Sequence, residues 1–383
     1  MLVVLMTATT LLLAGAAFTQ QDPEGEEDAD RYIVVLEESV GHPAQVAEGI
    51  EGRQEGLDVG FAYGAATEGF SAEIPDDSVD EVRNNPRVAY VERDTVMRIE
   101  AQTLPWGVNR IGADESSTVA GDNKGTVSGV NIYVIDTGID KKHGDLNVVK
   151  HVNLRSDGKN WDCDGHGTHV AGTLAAKDNR RNVVGVAPGA RLTAVKVLNC
   201  RGLGSKSRVI AGINWVTRHA QKPAVAIISV GGGASQAVDD AVEASADSGI
   251  FYSVSAGNLN EDACNRSPAR AGDGTDNGIV TTAATTKKSG AEAGYSNHGS
   301  CVDLWAPGNG ILSTKLGGGA MHSSGTSMAV PHVGGTAALY LSTPGNALTP
   351  PAQVETELKA QADPTGKRAD DGRPIQLVDA SGY

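Results

Sequence analysis

The chain has 383 residues, 40% of them hydrophobic and 4% aromatic, and it carries a formal net charge of −15. This length and apolar content suffice for a large domain with its own core and leave room for a second, smaller domain. The negative charge excludes nucleic acid as an expected partner, because binding of phosphates needs clustered Lys and Arg.

Residues 1–20 have the pattern of a signal peptide. The run from Leu2 to Ala17 is apolar, is too short to span a bilayer comfortably, and ends in small residues that suit a signal peptidase. The absence of Lys or Arg before this run departs from the signal-peptide pattern, and a misassigned start codon would explain it. A membrane anchor is the weaker alternative. We expect a secreted, extracellular protein with no membrane anchor, in which residues 21–30 form an acidic linker.

The segment 31–100 has its own pattern of short elements. A strand, a helix, a longer extended stretch, a short helix and a final strand are predicted over 31–36, about 42–56, 61–74, 78–84 and 88–91. We interpret this succession as a β-α-β-β-α-β order. This order predicts a small α+β, ferredoxin-like unit.

From residue 101 to 383 the strands become nearly continuous apolar runs. The predicted strands cover 130–135, 192–198, 224–229, 250–254 and 278–283. Helix-compatible stretches lie at 166–177, 207–218, 237–247, 327–341 and 351–362. This alternation predicts an α/β fold in which helices cover both faces of a mostly parallel sheet. Functional residues of such folds gather at the carboxyl ends of the strands.

Two candidate functional residues are Asp136 and His166. Asp136 follows the first apolar strand, where its carboxylate can accept a hydrogen bond from an imidazole N–H, although such an Asp also suits a turn. His166 opens a predicted helix and can act as a general base. A metal site formed by His166 and His169 is the alternative, but it lacks the Glu of an HExxH motif and an obvious third ligand.

The third candidate is Ser327, in the segment Gly325-Thr326-Ser327-Met328-Ala329. Glycine and small residues permit a sharp entry into a helix with the hydroxyl exposed. Ser is also a common helix N-cap, and Ala329 in place of glycine excludes the G-x-S-x-G elbow of α/β-hydrolases. Each candidate is ambiguous alone, but the combination of the three is specific.

Together these segments resemble the subtilisin-like serine peptidases (subtilases), in particular the aqualysin-like group of the proteinase K branch. Residues 134–138, 166–173 and 325–329 match the three sequence blocks of the family, and the order Asp, His, Ser is that of subtilisin. The resemblance implies a subtilisin-like three-layer catalytic domain at 101–383, after an inhibitor-type propeptide at 31–100. It also implies a catalytic triad of Asp136, His166 and Ser327 that hydrolyses peptide bonds through an acyl-enzyme.

The resemblance assigns further site residues. Asn258 matches the residue whose side-chain amide stabilises the oxyanion, with the backbone N–H of Ser327 as the second donor. The segments that hold an extended peptide contribute Gly202, Leu203, Gly204, Ser229, Val230, Gly231 and Gly257. Because the blocks 229–233 and 255–258 contain no acidic residue, we expect broad specificity, with an apolar or aromatic residue before the scissile bond (the P1 residue) and not a basic one.

The four cysteines, Cys163, Cys200, Cys264 and Cys301, are an even number in an exported chain, which predicts two disulfides with three possible connectivities. The resemblance to aqualysin-like enzymes implies the pairs Cys163–Cys200 and Cys264–Cys301.

Structural calcium is implied by the resemblance to proteinase K. Asp303 matches a calcium-ligating carboxylate, and backbone carbonyls near Asn277 and Ile279 would complete the site. The stretch 272–277 precedes these carbonyls like an insertion, and it supplies either extra oxygen ligands or only a polar loop. Asp114 and Asp363 fall at positions that suggest a second ion site.

The propeptide is implied to template folding and then to inhibit the enzyme with its own C-terminal tail. Self-cleavage is expected near Glu100–Ala101, because residues 101–107 resemble a mature N-terminus, although Glu100 is unusual before the bond for an enzyme that prefers apolar residues. The expected partners are protein and peptide substrates and the propeptide itself, and the enzyme is expected to be a monomer. The alternatives are an inactive peptide-binding homologue, a dedicated propeptide-type inhibitor with a vestigial partner domain, and a processing protease for basic sites.

Overall fold

Two compact units, Met1–Ile99 and Glu100–Tyr383, make up the chain in a computed structural model. The structure describes residues 31–37, 40–94 and 102–383. The predicted signal peptide, the acidic linker and the predicted cleavage bond at Glu100–Ala101 lie outside these residues. Within the described residues, no helix has both the length and the apolar character needed to cross a bilayer.

The smaller unit consists of β1 (Arg31–Leu36), α1 (Pro43–Glu51), β2 (Asp58–Gly64), β3 (Glu68–Glu73), α2 (Val79–Arg83) and β4 (Val88–Arg93). The four strands form an antiparallel sheet in the order β2-β3-β1-β4. Alternate residues of β1, namely Tyr32, Val34 and Leu36, are buried in one core with Ile50 and Phe70, as the two-residue period of a strand requires. The predicted β-α-β-β-α-β unit is confirmed, and the extended stretch predicted at 61–74 is the β2–β3 hairpin.

The first elements of the larger unit are α3 (Trp106–Arg110), β5 (Asn131–Asp136), β6 (Val148–Asn153), α4 (His166–Ala175), β7 (Arg191–Lys196), α5 (Lys206–His219), β8 (Ala224–Ile228), β9 (Gly232–Gly233), α6 (Gln236–Asp247) and β10 (Phe251–Ser255). The remaining elements are β11 (Arg266–Ser267), β12 (Ile279–Thr285), β13 (Leu304–Pro307), β14 (Ile311–Thr314), β15 (Ala320–Ser323), α7 (Thr326–Ser342), α8 (Pro351–Gln361), β16 (Asp363–Arg368) and β17 (Pro374–Leu377). Short 3-10 turns lie at Ala263–Asn265 and Ala269–Ala271.

A nine-stranded sheet in the order β16-β17-β13-β12-β10-β8-β5-β7-β6 forms the centre of this unit. Its strands pair in parallel, except that β16 runs antiparallel to β17 at one edge. The mostly parallel sheet of the predicted α/β fold is therefore confirmed.

Each face of this sheet has its own hydrophobic core, because the strands are apolar on both sides. In β5, Ile132 and Val134 belong to one core, whereas Tyr133 and Ile135 belong to the other. Helices α4, α7 and α8 contribute to the first core, and α5 and α6 contribute to the second. The result is three layers, helix, sheet and helix, as the resemblance implied.

The helix α7 runs through the interior of the first core. Every residue of α7 except Ser327 and Ser342 is buried. A helix that is apolar and small-residue-rich all round has no solvent face, so its position is determined by packing along its full length. Ser327, near its N-terminus, is thereby held on a fixed support.

Candidate active site

The side chains of Asp136 and His166 meet at the carboxyl end of the parallel sheet. Asp136 is the last residue of β5, and His166 is the first residue of α4. The Nδ1 atom of His166 lies 2.8 Å from Oδ1 and 2.9 Å from Oδ2 of Asp136. The Asp136 side chain is fully buried, whereas 28% of the His166 side chain is exposed. The carboxylate can therefore orient the ring while the outer ring nitrogen faces a substrate.

The start of α4 is fixed against β5 by two features of the sequence. The carboxylate of Asp162 accepts hydrogen bonds from the backbone N–H and the hydroxyl of Thr168, at 3.0 and 2.6 Å. Gly167 permits close approach of the two elements, because a Cβ atom there would lie 2.2 Å from the carbonyl oxygen of Gly138. A larger residue at 167 would thus push His166 away from Asp136.

The environment of His166 makes its imidazole strongly basic. Burial disfavours the charged ring, but the neighbouring Asp136 carboxylate outweighs this effect and raises the pKa of His166 to about 9. Asp164 and Asp162 act in the same direction. In its neutral form this ring can accept a proton from a nearby hydroxyl.

Ser327 is the second residue of α7, and its hydroxyl donates a hydrogen bond to the carbonyl oxygen of Ser229 at 2.7 Å. Among the described residues, no hydrogen bond joins Ser327 to His166. The structure thus contains the Asp–His contact of a triad, with the serine hydroxyl turned toward the loop after β8. Catalytic hydrogen bonds of this type often tighten only when substrate binds.

Asn258, in the loop after β10, lies beside the start of α7. Its Oδ1 atom accepts hydrogen bonds from the backbone N–H and the hydroxyl of Thr326, at 2.8 and 2.9 Å. Because the oxygen is held by these two donors, the amide nitrogen faces away from Thr326. Gly325 adopts φ of +151°, and a Cβ atom there would lie 3.4 Å from the Asn258 amide nitrogen. The backbone N–H of Ser327, in the first turn of α7, has no acceptor within its helix.

A pocket with a volume of about 190 Å³ opens beside these groups. Its lining includes Ser229, Gly231, Gly257, Asn258 and Ser327, all of which are candidate site residues. A neighbouring groove of about 170 Å³ is lined by the other candidates, Gly202, Leu203, Gly204 and Val230, together with Gly231. The segments 202–204 and 229–231 therefore line two adjoining pockets that share Gly231 and Gly232, and the second pocket contains Ser327.

Arg266 also lines the pocket beside Ser327, although sequence reasoning did not identify it. Its guanidinium contacts the carboxylate of Glu261. No motif marks this residue, because its place follows from the pairing of β11 with β9, in which Arg266 lies opposite Gly233. The pocket thus contains one basic side chain with an acidic partner.

His169 does not form a metal pair with His166. Its Nε2 atom lies 3.1 Å from each of the carbonyl oxygens of Ile311 and Met321, and burial lowers its pKa to about 4. His169 is therefore a buried neutral side chain that ties α4 to the β14–β15 hairpin.

The two disulfides are Cys163–Cys200 and Cys264–Cys301, the pairing that the resemblance implied. Cys163 precedes α4, and Cys200 lies beside the 202–204 segment, so the first bridge joins the region before His166 to one side of the groove. The second joins the turn after Asn258 to the chain that leads into β13.

The surroundings of Asp303 do not fit a calcium ion. Its Oδ1 atom lies 2.8 Å from the ammonium nitrogen of Lys359, and its Oδ2 atom accepts a hydrogen bond from the backbone N–H of Thr281. In the part of the chain that the structure describes, no group of three or more acidic, His or Cys side chains is arranged to hold a metal. Next to Asp303 the structure thus places a lysine ammonium where the resemblance implied a calcium ion. At the second expected ion site, Asp363 pairs with Arg110 at 3.1 Å, and Asp114 accepts from Asn109 at 2.8 Å.

Two protein-family models match this chain. The model of the subtilase family matches residues 127–375, and the model of peptidase inhibitor I9 matches residues 31–100.

Similar proteins occur in bacteria and fungi. Alkaline serine exoprotease A of Vibrio alginolyticus is 38% identical over 372 residues, which cover 91% of this chain and 66% of that protein. The extracellular serine proteinase of Thermus sp. strain Rt41A is 42% identical over 321 residues, or 81% of this chain and 74% of that protein. Subtilisin-like protease 7 of Arthroderma otae is 38% identical over 341 residues, or 82% of each chain. Among solved structures, a cold adapted subtilisin-like serine proteinase is 39% identical with a TM-score of 0.62, covering 72% of this chain and 97% of that one.

Proposed function

Since the chain belongs to the subtilase family of serine peptidases and carries an inhibitor I9 propeptide, we propose that it is a secreted endopeptidase. We propose further that it is made as a zymogen that cleaves itself. In this proposal residues 1–20 are a signal peptide, 21–30 a linker, 31–100 the propeptide and 101–383 the catalytic domain, which acts as a monomer. The name of the Thermus relative, an extracellular serine proteinase, supports secretion.

The observation that carries the proposal is the contact of His166 with both carboxylate oxygens of Asp136, at 2.8 and 2.9 Å. In the proposed reaction, the Ser327 hydroxyl attacks the carbonyl carbon of the scissile bond, and His166 takes the hydroxyl proton. Asp136 keeps the other ring N–H in place and stabilises the imidazolium. His166 then protonates the leaving amine, and water attacks the acyl-enzyme by the same route in reverse.

Two N–H groups would stabilise the oxyanion that forms during each attack. They are the side-chain amide of Asn258 and the backbone N–H of Ser327. The carbonyl oxygen of Ser229 accepts a hydrogen bond from the Ser327 hydroxyl in the structure. An N–H group of a bound peptide would take the place of this hydroxyl. Binding would thus release the serine hydroxyl toward His166.

Self-processing is tested by comparing the purified full chain with its Ser327→Ala variant over time, by gel and intact mass. We expect the wild type to split near Ala101 and the variant to stay whole. If both chains stay whole and the wild type hydrolyses no casein, the active-enzyme proposal fails and a peptide-binding homologue becomes the better explanation.

We propose broad specificity with an apolar or aromatic P1 residue. Ala256, Leu259 and the glycines of the pocket offer apolar contact and open space to such a side chain. The charge of Arg266 is balanced by Glu261, so the pocket as a whole does not present a free cation.

A second candidate, preference for an acidic P1 residue, is favoured by one specific observation. Arg266 lines the pocket beside Ser327, and Glu100 precedes the bond at which self-cleavage is expected. An acidic side chain would then replace Glu261 as the partner of the guanidinium.

The two candidates are separated by mass-spectrometric cleavage profiling on a peptide library. Cleavage after apolar or aromatic residues that persists in Arg266→Leu supports the first. Cleavage after Glu or Asp that falls by about 10²-fold in Arg266→Leu, and rises in Glu261→Gln, supports the second.

A further inference from the structure

The ammonium group of Lys359, on α8, lies among three carboxylates. Its nitrogen is 2.7 Å from Oε1 of Glu355, 2.8 Å from Oδ1 of Asp303 and 3.0 Å from Oδ1 of Asp276. These four residues, here called the Lys359 cluster, come from α8, the chain before β13 and the loop before β12. Of these three contacts, only that with Asp276 has the geometry of a hydrogen bond. Oδ1 of Asp303 and Oε1 of Glu355 have no hydrogen-bond partner and contact the ammonium as ion pairs.

The second oxygen of each carboxylate accepts a hydrogen bond from another group of the protein. Oδ2 of Asp303 accepts from the N–H of Thr281, and Oδ2 of Asp276 accepts from the hydroxyl of Thr356. Oε2 of Glu355 accepts from the backbone N–H groups of Asn277 and Gly278, at 3.0 and 2.8 Å. One oxygen of each carboxylate thus accepts a hydrogen bond from the protein, and the other lies within ion-pair distance of the Lys359 ammonium.

Burial of the carboxylates favours a cation in this place. The side chains of Asp303 and Glu355 are fully buried, and only 24% of the Lys359 side chain is exposed. Two buried carboxylates without a counter-ion would be costly, because desolvation and mutual repulsion both oppose their charge. Burial also opposes the charge of Lys359, but Asp303 and Glu355 outweigh it and raise the pKa of its ammonium.

Calcium requires a different arrangement. The ion binds six to eight oxygen atoms at about 2.3–2.6 Å, and backbone groups contribute to it through their carbonyls. Here the backbone N–H groups of Asn277 and Gly278 donate to Oε2 of Glu355, so its Oε1 atom is the one that faces the ammonium. An ion bound to Asp303 Oδ1 and Glu355 Oε1 would also occupy the space of the Lys359 nitrogen and repel its charge.

We propose that the Lys359 ammonium replaces calcium as the cation of this site, and that it joins α8 to the chain segments before β12 and β13 without a metal. The inference concerns stability and is independent of the proposed reaction.

The test uses the full chain in a Ser327→Ala background, which prevents self-digestion during the measurement. Thermal unfolding is followed in excess calcium chloride and in EGTA, for the background chain and for Asp303→Asn. Calcium bound at any other site raises Tm equally in both chains. We therefore expect the two calcium-induced shifts to agree within about 1 °C.

Removing the ammonium is expected to create a calcium dependence at this site. Lys359→Met keeps the length of the side chain but leaves the carboxylates without a cation, so its Tm falls in EGTA. Calcium at about 100 times its Kd should restore roughly 5–10 °C, and the double variant Lys359→Met/Asp303→Asn should lose this rescue. Lys367→Met, at an exposed lysine of β16, is the matched control and should behave like the background chain.

Two outcomes overturn the proposal. One is calorimetric binding of calcium to the background chain that disappears in Asp303→Asn, a measurement that decides the matter even if Lys359→Met does not fold. The other is a Lys359→Met chain that is as stable in EGTA as the Lys367→Met control.

Discussion

His166 is the residue whose protonation determines the working pH of the proposed reaction. A general base must be neutral, and the pKa of His166 is raised to about 9, chiefly because the Asp136 carboxylate outweighs the effect of burial. Below that pH the protonated ring cannot accept the Ser327 proton. We expect kcat/KM to rise with pH and to level off only near pH 9, in an assay with a neutral peptide substrate.

The Asp136→Asn variant provides the control for this assignment. It should lower kcat by about 10⁴-fold, the order of the loss seen when the triad Asp is replaced in other serine peptidases, subtilisin included. It should also move the midpoint of the remaining activity toward lower pH, because the charge that raises the pKa is gone. An unchanged midpoint would show that a different group titrates.

Asn258 offers a second test at the residue scale. Asn258→Ala removes one of the two proposed donors to the oxyanion, and we expect kcat to fall by about 10²–10³-fold, as measured for the corresponding donor of subtilisin, while KM changes little. Asn260→Ala, in the same loop, should retain activity. A large rise in KM with kcat unchanged would assign Asn258 to substrate binding instead.

At the scale of elements, the contact of α4 with β5 depends on a glycine. In Gly167→Ala the new methyl group would meet the carbonyl oxygen of Gly138, at 2.2 Å in the present backbone. We expect lower activity and a lower Tm, because His166 must shift with the start of α4. Gly144→Ala is the control, since a Cβ atom there has no neighbour within 4 Å. Equal behaviour of the two variants would contradict the packing argument.

The longer elements of the fold were predictable from the sequence because their buried side chains form recognisable apolar runs. The runs that become β5, β7, β8, β10 and β12 are apolar on both faces, and α4 to α8 were predicted within a few residues. The strands β6, β13, β16 and β17 and the β14–β15 hairpin were not predicted. These strands are short or contain polar residues; β6, for example, includes Lys150 and His151. They form because they pair with neighbouring strands, as β6 does with β7, and such pairing is not visible in the local sequence.

The candidate site was predictable in part for a related reason. Asp136, His166 and Ser327 stand at ends of regular elements within recognisable local segments. The roles of Arg266 and Lys359 were not predictable, because each depends on a partner brought near by the tertiary fold. In the case of Lys359, two of the three partner carboxylates lie outside its helix.

At the scale of the whole molecule, the two disulfides limit the freedom of the unfolded catalytic unit. Each joins cysteines 37 positions apart, and a loop of that size contributes up to roughly 4 kcal/mol on chain-entropy grounds. We expect Cys264→Ala/Cys301→Ala, in the Ser327→Ala background, to lower the free energy of unfolding toward this limit, as measured by urea denaturation. A loss much below 1 kcal/mol would mean that the reduced chain already holds these segments together.

The burial of α7 along its length has a consequence for how the enzyme loses activity. Amide hydrogens in the middle of this helix can exchange with solvent only when the surrounding core opens, so their exchange should report the free energy of global unfolding. Because Ser327, the proposed nucleophile, stands on the same helix, we expect that a local opening that leaves this core intact does not displace it. Thermal inactivation should therefore follow the kinetics of complete unfolding rather than the loosening of one loop.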